Sequence, residues 1–129
     1  MSSRRIKDIS TRLIRPVDPV IDVALLSDLV SNWDENYEYD GGVCVFDEGI
    51  AQYPLCDKVS HHKFYAAIVL RKASLRCSLS LTEPEDALDL NGNRFEYANV
   101  AESLTAARYL LTELAQVLSK RGFKFEDIP

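Results

Sequence analysis

A chain of 129 residues, 47% hydrophobic and 27% charged, has the length of one ordinary domain and can bury roughly two thirds of its unfolded surface. Its formal net charge of -5 and pI near 5.0 speak against general nucleic-acid or anionic-membrane binding, because both need a cationic face. No run approaches the roughly twenty apolar residues of a membrane span, and no apolar leader follows Met1-Ser2-Ser3-Arg4-Arg5, so the expectation is one cytoplasmic domain spanning residues 1–129.

The first sixteen residues hold Arg4, Arg5, Lys7, Arg12 and Arg15 against Asp8 alone. Residues 1–8 could stand off as a flexible basic arm, and Arg12 and Arg15 would suit an exposed edge strand over residues 9–15, which the pattern leaves open. Asp18-Pro19 then reads as a helix start, a capping side chain followed by a ring that tolerates the first helical position. Val23, Leu26, Leu29, Val30 and Trp33 form the apolar stripe of that helix, opposite Asp28, Ser31, Asn32 and Glu35.

Gly41-Gly42 permits a change of direction into Val43-Cys44-Val45-Phe46, a short strand closed by Asp47-Glu48-Gly49. Phe64–Leu70 is continuously apolar and reads as a central strand. Leu75, Cys77, Leu79 and Leu81 alternate strictly with polar residues, the period of a half-buried strand, and Arg71-Lys72-Ala73-Ser74 would join the two as a hairpin. Asn91-Gly92 predicts a second hairpin that sets Asp89 opposite Arg94 and Leu88 opposite Phe95.

Asn99 caps the last helix, with Glu102 completing a capping box and Gly122 stopping it after Lys120-Arg121. Its core stripe is Val100, Leu104, Ala107, Leu111, Leu114, Ala115 and Leu118. Leu110 and Val117 widen that stripe; cover from within the chain is favoured over a homodimer through Leu110, Leu114 and Val117. These elements together predict an α+β fold, a mostly antiparallel sheet of about four to five strands with an N-terminal and a long C-terminal helix packed on it.

Motifs that carry chemistry are sparse. Cys44, Cys56 and Cys77 are odd in number and lack a Cys-x-x-Cys spacing, which fits reduced thiols, with Cys44 and Cys77 as buried small hydrophobes. His61-His62 with Cys56 and Cys44 is the only grouping of metal-ligand types, but on an extended chain adjacent histidines face opposite ways, one of them outward, and the spacing matches no zinc framework. The expectation is no metal and no cofactor.

The most informative stretch is residues 17–57, which contain ten carboxylates and no lysine or arginine. At its centre Trp33-Asp34-Glu35-Asn36-Tyr37-Glu38-Tyr39-Asp40 interleaves rings with acids. Asp34, Glu35, Tyr37, Glu38, Tyr39 and Asp40 are therefore the candidate partner-binding residues: the rings supply rigid contact area and the acids pair with Lys or Arg. That chemistry suits a non-catalytic binding protein that engages a basic partner protein, in the manner of an immunity, inhibitor or chaperone protein. Two alternatives stand beside it, a small-molecule pocket between the sheet and the C-terminal helix that takes cationic organic ligands, and a small enzyme using His61 or His62.

Overall fold

Asp57 decides the architecture of the middle of the chain. Its side chain accepts a hydrogen bond from the backbone N–H of Ser60 at 2.8 Å, a helix N-cap, and Lys58–Val69 follow as a helix, α2. The computed structural model describes residues 5–33, 42–84, 88, 94–98 and 104–126.

In chain order the elements are β1 (Ile6–Ser10), a 3₁₀ turn (Thr11–Leu13), β2 (Ile14–Arg15), β3 (Val20–Asp22), α1 (Val23–Ser31), β4 (Val43–Phe46), β5 (Tyr53–Pro54), α2 (Lys58–Val69), β6 (Ser74–Ser80), β7 (Arg94–Ala98), α3 (Leu104–Lys120) and β8 (Lys124–Phe125). Ile6–Asp8, assigned by charge to a basic arm, belong to β1.

Phe64–Leu70 is thus helical rather than extended through Val69. Phe64, Tyr65, Ala66, Ala67 and Ile68 are all buried, so α2 has no wet stripe over its second half and its sequence lacks the 3.6-residue alternation that marks a surface helix. α2 closes with Arg71 in the left-handed region (φ 59°), Arg71 N–H donating to the Ile68 carbonyl and Lys72 N–H to the Ala67 carbonyl. This is the ending at which glycine is the usual residue. α3 closes in the same way on Gly122 (φ 96°), with Phe123 N–H donating to the Leu118 carbonyl, as the Lys120-Arg121-Gly122 pattern predicts.

Because α2 is a crossover helix, β6 returns parallel to β4, and the antiparallel sheet expected here does not form. The mixed α and β content stands, but the sheets are small: β1-β6-β4, β2-β5 and β3-β7-β8. Among the named strands only β1 and β6 pair antiparallel; β2–β5, β3–β7, β4–β6 and β7–β8 are parallel. A Val45–Leu55 bridge ties the first two sheets together. β7 has β3 and β8 as its described neighbours; of the hairpin expected at Asn91-Gly92, Leu88 is buried, while Asp89 and Asn91–Asn93 lie outside the described residues. Asn99, Val100 and Glu102 lie outside them too.

Residues 9–15 divide between β1, the turn and β2, with Ile9 and Ile14 buried and Arg12 exposed. α1 starts four residues later than Asp18-Pro19 suggests, since the β-branched pair Val20-Ile21 is taken up by β3. Asp22 caps it, accepting from Leu25 N–H at 3.2 Å, and Val23, Leu26 and Leu29 face the core as their spacing requires. In β4, Val43 and Val45 are the inward residues and Cys44 is half-buried, contrary to the expectation that it is fully buried; Cys77 is. β6 buries Leu75 and Cys77 but ends at Ser80, so Leu81 is 95% exposed rather than core.

The core is one cluster in which α2 is surrounded by Ile21, Leu26, Val45, Leu75, Phe95, Leu111, Leu114 and Leu118. Leu114 is fully buried inside the chain and has no surface to offer a second subunit; Leu110 and Val117 are partly buried and pack against the same core.

Candidate functional site

α1 ends at Ser31, where Asn32 bonds back to Asp28, and Trp33 packs half-buried against the core. Further along, Gly42 leads into β4. Asp34, Glu35, Tyr37, Glu38, Tyr39 and Asp40 fall between these two anchors and lie outside the described residues.

The carboxylates on either side of that segment each have a local structural task. Asp18 accepts from Val20 N–H at 2.9 Å in a turn, and Asp22 caps α1 while meeting Lys58 Nζ at 3.3 Å. Asp28 receives the Asn32 amide at 3.0 Å. Asp47 accepts from Gly49 N–H at 2.8 Å, Glu48 holds Arg15 at 2.9 Å, and Asp57 caps α2. Six of the ten acids in residues 17–57 are thereby used within the fold. The cations they meet, Arg15 and Lys58, come from just outside the cation-free stretch, which is why counting charge within it could not show the pairing.

The histidine pair, read as one surface and one inward side chain on an extended segment, is instead wholly buried on the first turns of α2, at 2% and 1% exposure. His61 Nδ1–H donates to the Asp57 carbonyl at 2.7 Å, and its Nε2 accepts from the backbone N–H groups of Val17 at 2.9 Å and Asp18 at 3.1 Å. His62 repeats the arrangement, Nδ1–H to the Lys58 carbonyl at 2.7 Å and Nε2 from Asp22 N–H at 2.8 Å. Each ring is a neutral bridge between α2 and the 17–22 segment, and an imidazolium could not accept those bonds. Burial, the largest cause, holds both histidines below their ordinary pKa. With both nitrogens of each ring engaged by backbone, neither offers a lone pair to a metal or a substrate proton. Tyr65, edge-on to His62 with centroids 5.5 Å apart, closes the pocket and donates its hydroxyl to the Asp18 carbonyl at 3.0 Å.

No family model matches the chain, and no curated protein or solved structure matches it.

Cys44 and Cys56 stand beside each other where β4 meets the residues after β5, with Cys56 N–H donating to the Cys44 carbonyl at 3.1 Å. Burial first, and then the neighbouring Cys44 thiol, push the Cys56 thiol up to about 12, the opposite of what nucleophilic attack at neutral pH needs. Among the described residues no three His, Cys, Asp or Glu side chains gather as a metal-binding group. No described helix is long and apolar enough to cross a membrane.

Sequence reasoning missed the role of the histidines because α2 was read as extended. The signal was present: Asp57-Lys58-Val59-Ser60 is a cap followed by a hydroxyl at the third helical position, and starting the helix there puts both imidazoles on its first turns, within reach of their own cap-region carbonyls.

Proposed function

We propose that the protein is a non-catalytic binding module, and that the segment from Asp34 to Asp40 engages a basic surface on a partner protein. One observation carries the reading: of the ten acids in residues 17–57, the six among the described residues all serve caps, turns or ion pairs, while Asp34, Glu35, Glu38 and Asp40 form a dense acidic run interleaved with tyrosines in the sequence. Tyr37 and Tyr39 between them add amphipathic contact area of the kind that anchors interfaces. The flanks suit this use, since α1 with Trp33 on one side and β4 on the other fix both ends of the segment to the core.

The histidine enzyme loses its chemical basis when both rings serve as backbone bridges. A cationic organic ligand near the end of α3 is disfavoured by the surface there, where Arg12, Lys120 and Arg121 line the hollow.

Neutralising the four acids together (Asp34→Asn, Glu35→Gln, Glu38→Gln, Asp40→Asn) is expected to abolish partner capture from lysate at low salt, and raised salt is expected to weaken capture by the unaltered protein. Capture that survives the quadruple change at low salt contradicts the proposal.

A further inference from the structure

The cations of this acidic protein are not spread evenly over its surface. Where the 3₁₀ turn at Thr11–Leu13 crosses the ends of α2 and α3, two adjoining hollows of about 370 and 450 Å³ share Arg12, Val117 and Arg121. Lys120 borders one, Arg71 and Lys72 border the other, and among the described residues neither has a carboxylate in its lining. Arg121 is held in place by donating from Nη1 to the Thr11 carbonyl at 2.9 Å. Arg71 is drawn aside to Glu113, at 3.4 Å.

Cations at helix C-termini ordinarily answer the negative end of the helix dipole, and that would account for Lys120 and Arg71. It does not account for Arg12, which belongs to neither helix. Carbonyls at both helix ends are also already engaged: in α2 those of Ala66, Ala67 and Ile68 accept from the N–H groups of Leu70, Lys72 and Arg71, while the glycine ending of α3 uses those of Leu118 and Ser119. Arg12 and Arg121 therefore face each other across a hollow with no anion between them among the described residues. Burial first, and then the nearby Arg12 charge, act to lower the pKa of Arg121.

We propose that this hollow is a binding site for a phosphate-type oxyanion, bridged by the Arg12 and Arg121 guanidiniums with Lys120 at its rim. Two guanidinium forks suit the tetrahedral oxygens of a phosphoryl group better than the single plane of a carboxylate, and a doubly charged anion relieves the repulsion between them. The site carries charge opposite to that of the acidic segment and is independent of it.

Titration calorimetry at low ionic strength, with inorganic phosphate, pyrophosphate and a short polyglutamate peptide as separate probes, tests the assignment. Phosphate and pyrophosphate are expected to bind, pyrophosphate more tightly, and Arg12→Gln to weaken both at least tenfold. Arg12 is exposed and its side chain makes no bond to the described fold, so Arg12→Gln should unfold at the same temperature as the unaltered protein; Lys120→Gln, at the rim, serves as the second variant and should also weaken binding. Binding of polyglutamate but not of phosphate, heat equal to that from sodium chloride at matched ionic strength, or phosphate affinity unchanged in both variants would overturn the proposal.

Discussion

His61→Leu is expected to cost about 3–5 kcal/mol of folding stability at pH 7.5, and to remove part of the protein's sensitivity to acid. Leucine fills much of the imidazole volume but accepts nothing, so the N–H groups of Val17 and Asp18 lose the acceptor on which they converge. Each orphaned buried group costs about 1–3 kcal/mol, and the Asp57 carbonyl loses its donor as well. The pH effect has a definite sign. In the unfolded chain a histidine takes up a proton near its ordinary value of 6.5, whereas burial holds His61 and His62 lower in the folded state. The unfolded state therefore binds more protons as pH falls below 6.5. Stability is complete above that value and declines through it, by at most about 1.4 kcal/mol per pH unit for each histidine. Carboxylates with ordinary values near 4 contribute little before pH 5. Urea unfolding at pH 7.5 and pH 5.5 should show a loss in the unaltered protein and a clearly smaller one in His61→Leu. The same loss in both would mean that His61 is not a neutral bridge.

Phe95→Ala should be comparably damaging. Phe95 is fully buried in β7 and its ring joins three elements: it lies edge-on to Tyr65 of α2 at 5.9 Å, stacks on Phe125 of β8 at 4.6 Å, and meets Phe123 at 5.8 Å. Truncation removes a ring's worth of burial, leaves a cavity and breaks three aromatic contacts, for about 3–5 kcal/mol. In a domain of this size that lowers the thermal midpoint by roughly 10–20 °C. Tyr109→Ala, at a 63% exposed position on α3, is the matched control and should change stability by no more than about 0.5 kcal/mol. A small effect at Phe95 would mean that β7 and β8 do not close over α2 as described.

What was legible in the sequence is what carries its own period. The Val23, Leu26 and Leu29 stripe, the short β4 run and the Leu75–Cys77 alternation each lie on a two-sided element, so burial imposed a visible rhythm. α2 is enclosed on nearly all sides over residues 64–68, and enclosure erases that rhythm; only its cap at Asp57 remained as a sign. Misreading α2 then misdirected the sheet, because without a crossover helix between β4 and β6 an antiparallel return was the natural inference. The cationic hollow was illegible for a different reason. Arg12 and Arg121 are brought together by folding across almost the whole chain, and no local pattern announces such a meeting. The acidic run was legible in outline; the six of its acids that lie among the described residues build structure, and the binding proposal rests on the four others, Asp34, Glu35, Glu38 and Asp40.

That division is tested most directly by equilibrium urea unfolding of the quadruple variant Asp34→Asn, Glu35→Gln, Glu38→Gln, Asp40→Asn at low salt. Acids kept for a partner, with no task in the fold, should leave the unfolding free energy within about 0.5 kcal/mol of the unaltered protein, or raise it slightly by easing self-repulsion. A loss of about 2 kcal/mol or more, of the size expected when a cap such as Asp57 is removed, would show that these four carboxylates hold structure and would contradict the account.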